Sequence, residues 1–249
     1  MAKLLVIGMG TGDPELLTVQ AIEALNRVDV FFIPDKGEEK TELRERRLAI
    51  CEKFIKDRDF RIVEIATPKR NRVFDDYRAN VEEWHARIEE EYARQLAQIG
   101  SDACVGMLSW GDPSLYDSLL RIIERLHAKG IVSEYEVIPG ISSIQLLAAR
   151  HRIPLNRIGE PLLIAPARRL QPIADDVDSV VVVLDGERTY RLVDGEAFDI
   201  YWGAYLGTED EILVSGKLAD VRDEIDARRE AARLAKGWIM DTYLLRRRR

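Results

Sequence analysis

The sequence has few of the residues that build metal centres or disulfide frameworks. Its 249 residues include two cysteines and three histidines. Cys51 and Cys104 form no CxxC pair, and His85, His127 and His151 are too scattered to resemble a zinc-ligand set. We therefore expect no metal site and no disulfide.

The sequence also lacks a continuous apolar run of about 18 residues and a signal peptide, so we expect a cytoplasmic protein without a membrane span. Its net charge is −7, which provides no overall basic field for nucleic acid. Hydrophobic residues make up 46% and charged residues 33% of the chain, as in an ordinary globular protein. These absences favour an enzyme or binding protein for small molecules.

The first part of the chain alternates short apolar segments with helical patterns, which is typical of βαβ units and a parallel sheet. KLLVIGMG, DVFFIP and ACVGMLSW are continuous apolar runs of the kind that form strands buried on both faces. We predict an N-terminal α/β domain over residues 1–152, with helices flanking a parallel sheet.

After about residue 155, strand candidates follow one another through short connections. They are LLIAPA, SVVVVLD, EAFDIYWGAYLG and EILVSGKL, and DVRDEIDARREAARLA is the last helical stretch. We predict a smaller C-terminal α/β domain with a mixed sheet over residues 153–249. The terminal RRRR is expected to be a disordered end.

Three glycine turns, GMGTGDP, SWGDP and PGISS, each follow a predicted strand. In the first two, Asp13 and Asp112 are predicted to cap helices that begin with Pro14 and Pro113. Because the carboxyl ends of parallel strands share one edge of a sheet, we expect the three turns to form one ligand site.

The chemistry of these turns suits an adenosyl ligand without phosphate. Gly8, Gly10 and Gly12 give GxGxG, and Asp13 would place a carboxylate beside the diphosphate of a dinucleotide. A Walker loop is excluded because no GK[ST] follows. A dinucleotide-binding module or oxidoreductase, with Asp35 on the ribose, is an alternative. S-adenosylmethionine, which carries a positive centre, fits the acidic turns better.

Four segments resemble the S-adenosylmethionine-dependent tetrapyrrole (corrin and porphyrin) methyltransferase family. VIGMGTGDPELLTVQAIEALNRVDVFF is similar to the first family signature, SWGDPSLY to the second and VIPGISSIQLLAARHRIPL to the third. GAYLGTEDEILVSGKL is similar to a weaker later element. They occur in the family's order over essentially the whole chain. Thr11 replaces the family's usual proline, and Trp110 replaces the first glycine of its GGDP.

The resemblance implies the two-domain tetrapyrrole methylase fold, with the cofactor in the interdomain cleft, and a homodimer. It implies S-adenosyl-L-methionine as cofactor and S-adenosyl-L-homocysteine as product. The implied cofactor-binding positions are Thr11, Trp110, Gly111, Asp112, Leu115, Ser142, Ser143, Asp185 and Gly207.

Within the family, DKGEEKTELRERRLAIC and LSWGDPSLYDS are most similar to the deacetylating branch. That branch methylates precorrin-5 and releases acetate to give precorrin-6A in aerobic cobalamin biosynthesis. Methylation of another precorrin, of RNA or of a modified histidine (diphthine type) is an alternative, although the acidic net charge argues against RNA. No spacing selects the base for acetate loss among Asp112, His85 and Tyr116.

A tetrapyrrole with many carboxylates is expected to bind arginines, which hold carboxylates through two parallel hydrogen bonds. TPKRNRVFDDY, with Lys69, Arg70 and Arg72, is the preferred patch because it combines basic and aromatic residues in a predicted loop. The other candidates are Arg44, Arg46, Arg47, Arg150, Arg152, Arg157, Arg168 and Arg169.

Overall fold

The computed structural model describes residues 2–35, 41–68, 77–170, 173 and 176–249. The chain forms two compact units, Met1–Ile141 and Ser142–Arg249. The preferred basic patch, with Lys69, Arg70 and Arg72, lies outside the described residues.

The first unit contains a parallel sheet of five strands, in the order β3-β2-β4-β1-β5, with helices between the strands. The sheet confirms the predicted architecture, and its parallel strands bring all five carboxyl ends to one edge. The elements are β1 Ala2–Gly8, α1 Val19–Leu25, β2 Val30–Asp35, α2 Thr41–Phe54, β3 Arg61–Ala66, α3 Tyr77–Leu96, β4 Cys104–Ser109, α4 Leu119–Ala128 and β5 Val132–Ile138.

The burial of β1 explains its continuous apolar sequence. Leu4 and Val6 belong to the core that includes residues of α3 and α4, whereas Leu5 and Ile7 belong to the core that includes residues of α1 and α2. All four side chains are fully buried. Because both faces of the strand are covered, no position favours a polar residue.

The second unit contains a mixed sheet in the order β6-β7-β10-β8-β9, which confirms the prediction. β6 and β7 are parallel, and the other neighbouring strands are antiparallel. The elements are α5 Ser143–His151, β6 Leu162–Pro166, β7 Ser179–Val183, β8 Phe198–Ala204, β9 Ile212–Lys217, α6 Leu218–Lys236 and β10 Asp241–Arg247.

The prediction of a disordered basic end was wrong, because Arg246 and Arg247 belong to the central strand β10, and Arg248 and Arg249 form ion pairs directly after it. Tyr243 and Leu245 are buried in the core of this unit. The Arg246 guanidinium lies 5.6 Å from the ring centroid of Tyr201, and Arg248 Nη1 lies 2.7 Å from Asp199 Oδ1. Contacts with an aromatic ring and with a carboxylate therefore stabilise the arginines at the end of β10 and directly after it.

Helix α5 belongs to the second unit. His151 at its end has Nε2 3.1 Å from the backbone oxygen of Trp202 in β8, and a Cβ at Gly203 would lie 3.0 Å from Leu147 Cδ1. The division between the units precedes this helix, whereas the boundary predicted after residue 152 follows it.

Candidate functional site

The first two glycine turns are joined backbone to backbone at the carboxyl edge of the first sheet. The amide of Gly10 donates to the carbonyl of Gly111 at 3.2 Å, and the amide of Gly111 donates to the carbonyl of Gly10 at 2.7 Å. Both residues have positive φ, +67° and +71°, a conformation that glycine adopts without steric cost. The corners after β1 and β4 therefore form one rigid rim.

The third corner, Pro139–Ile141 after β5, packs directly on the other two. A Cβ at Gly140 would lie 2.2 Å from the carbonyl oxygen of Gly111, and a Cβ at Gly8 would lie 2.5 Å from the amide nitrogen of Gly140. Only glycine fits where backbones approach so closely. The predicted convergence of three corners is thus present in the first unit.

Asp112 links two of these corners. Its Oδ2 accepts a hydrogen bond from the Gly140 amide at 2.9 Å, and its Oδ1 accepts from the Ser114 amide at 2.9 Å and from the Ser114 hydroxyl. Desolvation raises the pKa of the Asp112 carboxyl, but these hydrogen bonds outweigh it and hold the pKa below its usual value. The rim therefore carries a fixed negative charge at neutral pH.

The predicted capping role of Asp112 was wrong. α4 begins only at Leu119, whose amide donates to Asp117 Oδ1 at 2.8 Å. The carboxylate of Asp112 instead holds the local turn at Ser114 and also binds the amide of Gly140, which is 28 positions away. A local capping pattern does not reveal such a distant partner.

The first corner also differs from the prediction. Asp13 Oδ1 accepts from the Glu15 amide at 2.9 Å, which caps a single 3-10 turn, Pro14–Leu16. α1 begins at Val19, where Thr18 is the cap and Thr18 Oγ1 accepts from the Ala21 amide. A dinucleotide site requires the helix N-terminus at the glycine turn, and here a separate turn intervenes.

Thr11 and Trp110, the two departures from the family pattern, lie in the first and second corners. Thr11 is 2% exposed, and its Oγ1 has no hydrogen-bond partner within the described part of the chain. The indole of Trp110 covers Gly12, where a Cβ would lie 2.8 Å from Cη2. A buried hydroxyl without a partner is costly unless a ligand satisfies it.

The remaining predicted residues of these segments have local structural roles. The Leu115 amide donates to the Asp112 carbonyl at 3.1 Å. Ser142 caps α5: its Oγ accepts from the Ile144 amide at 3.2 Å, and its own amide donates to Gln145 Oε1 at 3.0 Å. Ser143 is the first residue of this helix. The predicted hydroxyl cap of α5 is therefore confirmed, and Ser142 provides it.

In the second unit, Asp185 and Gly207 follow β7 and β8 at one edge of the sheet. The register places the ends of these strands beside the beginning of β10, since Val183 pairs with Thr242 and Ala204 pairs with Asp241. These two predicted positions therefore share an edge of their own unit.

The carboxylate of Asp185 is fully engaged within that unit. It accepts from the Glu187 amide at 3.0 Å, the Thr189 amide at 2.7 Å, the Thr189 hydroxyl at 3.1 Å and the Tyr243 hydroxyl at 2.9 Å. Gly207, with φ +76°, donates its amide to Glu211 Oε2 at 2.8 Å. Both residues hold turns in place.

The candidate bases occupy different environments. Asp112 is the carboxylate of the rim, and Tyr116 is exposed in the second corner with φ +54°. His85 is buried in α3, and its Nε2 has no partner among the described residues. Burial, followed by the charges of Arg125 and Arg121, lowers the pKa of His85, which leaves the imidazole neutral. Geometry does not select one of the three.

The described part of the chain contains no group of three or more histidine, cysteine, aspartate or glutamate residues that could hold a metal ion. In the same ranges, no helix is both long and apolar enough to cross a membrane.

Comparison with known proteins adds three findings. Residues 3–222 match the family model of the Tetrapyrrole (Corrin/Porphyrin) Methylases. The chain is 50% identical, over 250 aligned positions, to precorrin-6A synthase [deacetylating] of Sinorhizobium sp., covering 99% of this chain and 96% of that one. The crystal structure of a cobalamin-synthesis-related protein, CobF, from Corynebacterium diphtheriae superposes with a TM-score of 0.84 at 36% identity, covering 99% and 98% of the two chains.

A more distant structure shares the fold. Uroporphyrin-III C-methyl transferase from Thermus thermophilus, solved in complex with S-adenyl homocysteine, is 22% identical, with a TM-score of 0.62. The superposition covers 98% of this chain and 96% of that one.

Proposed function

The chain belongs to the tetrapyrrole (corrin/porphyrin) methylases. We propose that it transfers the methyl group of S-adenosyl-L-methionine to a ring carbon of precorrin-5, and that a water molecule then cleaves the two-carbon unit from the ring as acetate to give precorrin-6A, a step of aerobic cobalamin biosynthesis. The observation that carries this proposal is the 50% identity, along 99% of the chain, to a relative named for this reaction. The alternative precorrin substrates belong to relatives of lower identity.

The rim of the first unit fits S-adenosylmethionine. The ionised Asp112 carboxylate and the separate 3-10 turn disfavour a diphosphate, whereas the negative charge favours a ligand with a positive centre. The Thr11 hydroxyl, buried without a partner, is a group that a polar ligand would satisfy. The bound S-adenyl homocysteine of the Thermus structure, which shares the fold, supports the same ligand class.

We assign the cofactor contacts in two groups. Thr11, Trp110, Gly111, Asp112 and Leu115 belong to the rim of the first unit. In the second unit, we assign Ser142 and Ser143 at the start of α5, and Asp185 and Gly207 as residues that position the turns after β7 and β8.

The proposed mechanism depends on alignment. When bound, the cofactor supplies an electrophilic methyl group on a sulfonium. The interlocked backbones of Gly8, Gly111 and Gly140 fix the rim, so a bound ligand meets a preorganised surface. Positioning of this kind can contribute roughly 7–11 kcal/mol to lowering a barrier. Asp112 holds the second and third corners together and provides the negative potential.

Two further features are proposed from the family resemblance. We expect a homodimer, which sedimentation equilibrium would test, and a cytoplasmic location, which fractionation of the source cells would test. A monomer at micromolar concentration would contradict the first.

The decisive assay combines the purified protein with precorrin-5 and S-adenosylmethionine under exclusion of oxygen. We expect S-adenosylhomocysteine, acetate and precorrin-6A in equal amounts, and none of them when precorrin-5 is left out. Methylation without acetate would rule out the deacetylating reaction. Methylation of a different precorrin, but not of precorrin-5, would show that the proposed substrate is wrong.

Calorimetric titration tests the ligand class separately. We expect binding of S-adenosylhomocysteine and none of NADH. The opposite result would favour a dinucleotide-binding protein.

A further inference from the structure

The arginines that the sequence suggested as partners of ligand carboxylates differ in whether they form ion pairs within the protein. Arg44 pairs with Glu64, and Arg46 pairs with Glu42 at 2.8 Å. In the second unit, Arg150 pairs with Glu211 and Arg157 with Asp178. Arg47, between two paired neighbours in sequence, has no carboxylate within ion-pair distance in the described ranges.

Arg47 is nevertheless a buried cation. Its exposed fraction is 6%. Nη1 donates to the Leu43 carbonyl at 2.8 Å and Nε to the Leu108 carbonyl at 3.3 Å, while Nη2 has no hydrogen-bond partner among the described residues. Desolvation lowers the pKa of Arg47, opposed by Asp117 and Tyr92, but a guanidinium stays protonated in proteins.

The surroundings of Arg47 connect it to the rim. Leu108, whose carbonyl it contacts, is two residues before Trp110 in the second corner. The Arg47 Cζ lies 5.9 Å from the centroid of the Trp110 ring, which itself covers Gly12 in the first corner. The guanidinium therefore lies beside the two corners that are joined backbone to backbone.

A buried guanidinium is costly unless hydrogen bonds and opposite charge compensate its desolvation. Within the described ranges, Arg47 has two backbone carbonyls, an aromatic ring and the more distant charge of Asp117. Asp117, the acid whose charge acts on Arg47, already accepts from the Ser109 hydroxyl at 2.8 Å and from the Leu119 amide. Among the described residues, no carboxylate therefore bonds directly to the Arg47 guanidinium.

We infer that Arg47 binds a carboxylate of a ligand held at this rim. The inference rests on the proposed function, which offers two sources of that group. One is an acidic side chain of the tetrapyrrole, and the other is the amino-acid carboxylate of the adenosyl cofactor. In both cases the free edge of the guanidinium would donate to the carboxylate oxygens.

The test measures the binding of three ligands to the full chain. Uroporphyrin III is a polycarboxylate tetrapyrrole, S-adenosylhomocysteine carries the amino-acid carboxylate, and 5′-methylthioadenosine keeps the adenosyl group without it. The variants are Arg47→Met and Arg47→Lys. Arg87→Met is the control, because it removes an exposed arginine that pairs with Glu83 on α3 and is no candidate for ligand binding.

We expect Arg47→Met to weaken the binding of one carboxylate ligand by about 10- to 100-fold, with methylthioadenosine unchanged. Arg47→Lys keeps the charge without the planar fork and is expected to lose less. It also serves as the informative variant if Arg47→Met does not fold. Arg87→Met should bind all three ligands as the unchanged protein does.

Each outcome decides the inference. Loss of uroporphyrin affinity alone assigns the tetrapyrrole carboxylate, and loss of S-adenosylhomocysteine affinity alone assigns the cofactor carboxylate. Equal loss for methylthioadenosine, or no loss for any ligand in a folded variant, would overturn it and leave Arg47 a structural support. If the unchanged protein bound neither carboxylate ligand, the proposed function would fail, and the inference with it.

Discussion

Asp112 and Asp185 are both acids that follow the end of a strand, yet their surroundings differ. Asp185 receives four hydrogen bonds from its own unit, three of them from residues within the next four positions. Asp112 links two corners of a rim that also includes Thr11, whose buried hydroxyl has no partner in the described chain. The Asp185 carboxylate is thus satisfied within its own unit, whereas the rim around Asp112 includes a buried hydroxyl that has no partner in the described chain.

The region around Asp185 is a self-contained polar network. Arg229 pairs with Asp241 at 3.0 Å, with both side chains 4% exposed, and donates to the backbone carbonyl of Asp185. Trp202 Nε1 donates to Asp241 at 3.0 Å. Burial, followed by the neighbouring Asp185, raises the pKa of Tyr243, so its phenol remains a hydrogen-bond donor. These buried contacts stabilise the second unit.

The largest effect on stability is expected for Arg229→Met. Asp241 would remain buried without its cation, so the free energy of unfolding should fall by about 3–5 kcal/mol. Urea unfolding measures this loss. Arg228→Met is the control, because this exposed residue pairs with Glu224 on the helix surface and should change stability by less than about 0.5 kcal/mol. A loss below about 1 kcal/mol for Arg229→Met would contradict the self-contained network.

Gly140→Ala should be the most damaging change in the first unit. Its Cβ would meet a backbone oxygen at 2.2 Å, so the corners must separate. We expect a loss of about 3 kcal/mol in stability and of detectable S-adenosylhomocysteine binding. At Gly100 nothing lies within 4 Å of an added Cβ, and Gly100→Ala should behave as the unchanged protein does. Unaltered ligand binding in a folded Gly140→Ala would show that the rim is not the site.

Asp112→Asn tests the hydrogen bonds by which the Asp112 carboxylate joins the second and third corners. An amide cannot accept all three hydrogen bonds as a carboxylate does, so the free energy of unfolding should fall by about 1–2 kcal/mol at pH 7. Because folding lowers the pKa of Asp112, its stabilisation is fully present above the ordinary value of 3.8 and is lost as the pH falls through the lowered value. The stability difference should therefore be constant down to about pH 4 and shrink below it. A difference that grew on acidification would have the wrong sign.

Thr11→Val should have the smallest effect on stability and a clear effect on binding. Its Oγ1 makes no hydrogen bond within the described protein, so its removal should leave stability unchanged or slightly raised. Affinity for S-adenosylhomocysteine should fall about 5- to 10-fold, and Thr11→Ser should restore most of it. Unchanged calorimetric affinity of Thr11→Val would remove this residue from the proposed contacts.

The sequence was sufficient to predict the features that depend on local patterns. The continuous apolar run of β1 indicated a strand covered on both faces, and the glycine turns indicated corners at a common edge. Ser142 was recognised as a helix cap because its partner, the Ile144 amide, is only two residues away.

The features that depend on distant partners were missed. Asp112 looked like a helix cap because its bond to Gly140 spans 28 residues. Arg47 looked like Arg44 because their partners, Leu108 and Glu64, are distant in sequence. The strand β10 was missed because the run Arg246–Arg249, which begins within it, suggested a solvated tail, although Tyr243 lies in the core.

The central place of β10 also determines the order in which the second sheet is assembled. β6 pairs with β7, and β8 pairs with β9, but the two pairs meet only through Asp241–Arg247. During synthesis the strands of both pairs are translated before the segment that joins them. The sheet can therefore be completed only after β10 has left the ribosome. Residues 2–141, by contrast, already contain every strand of their own sheet. The nascent first unit can therefore complete its glycine corners while the second still exposes the edges of β7 and β8.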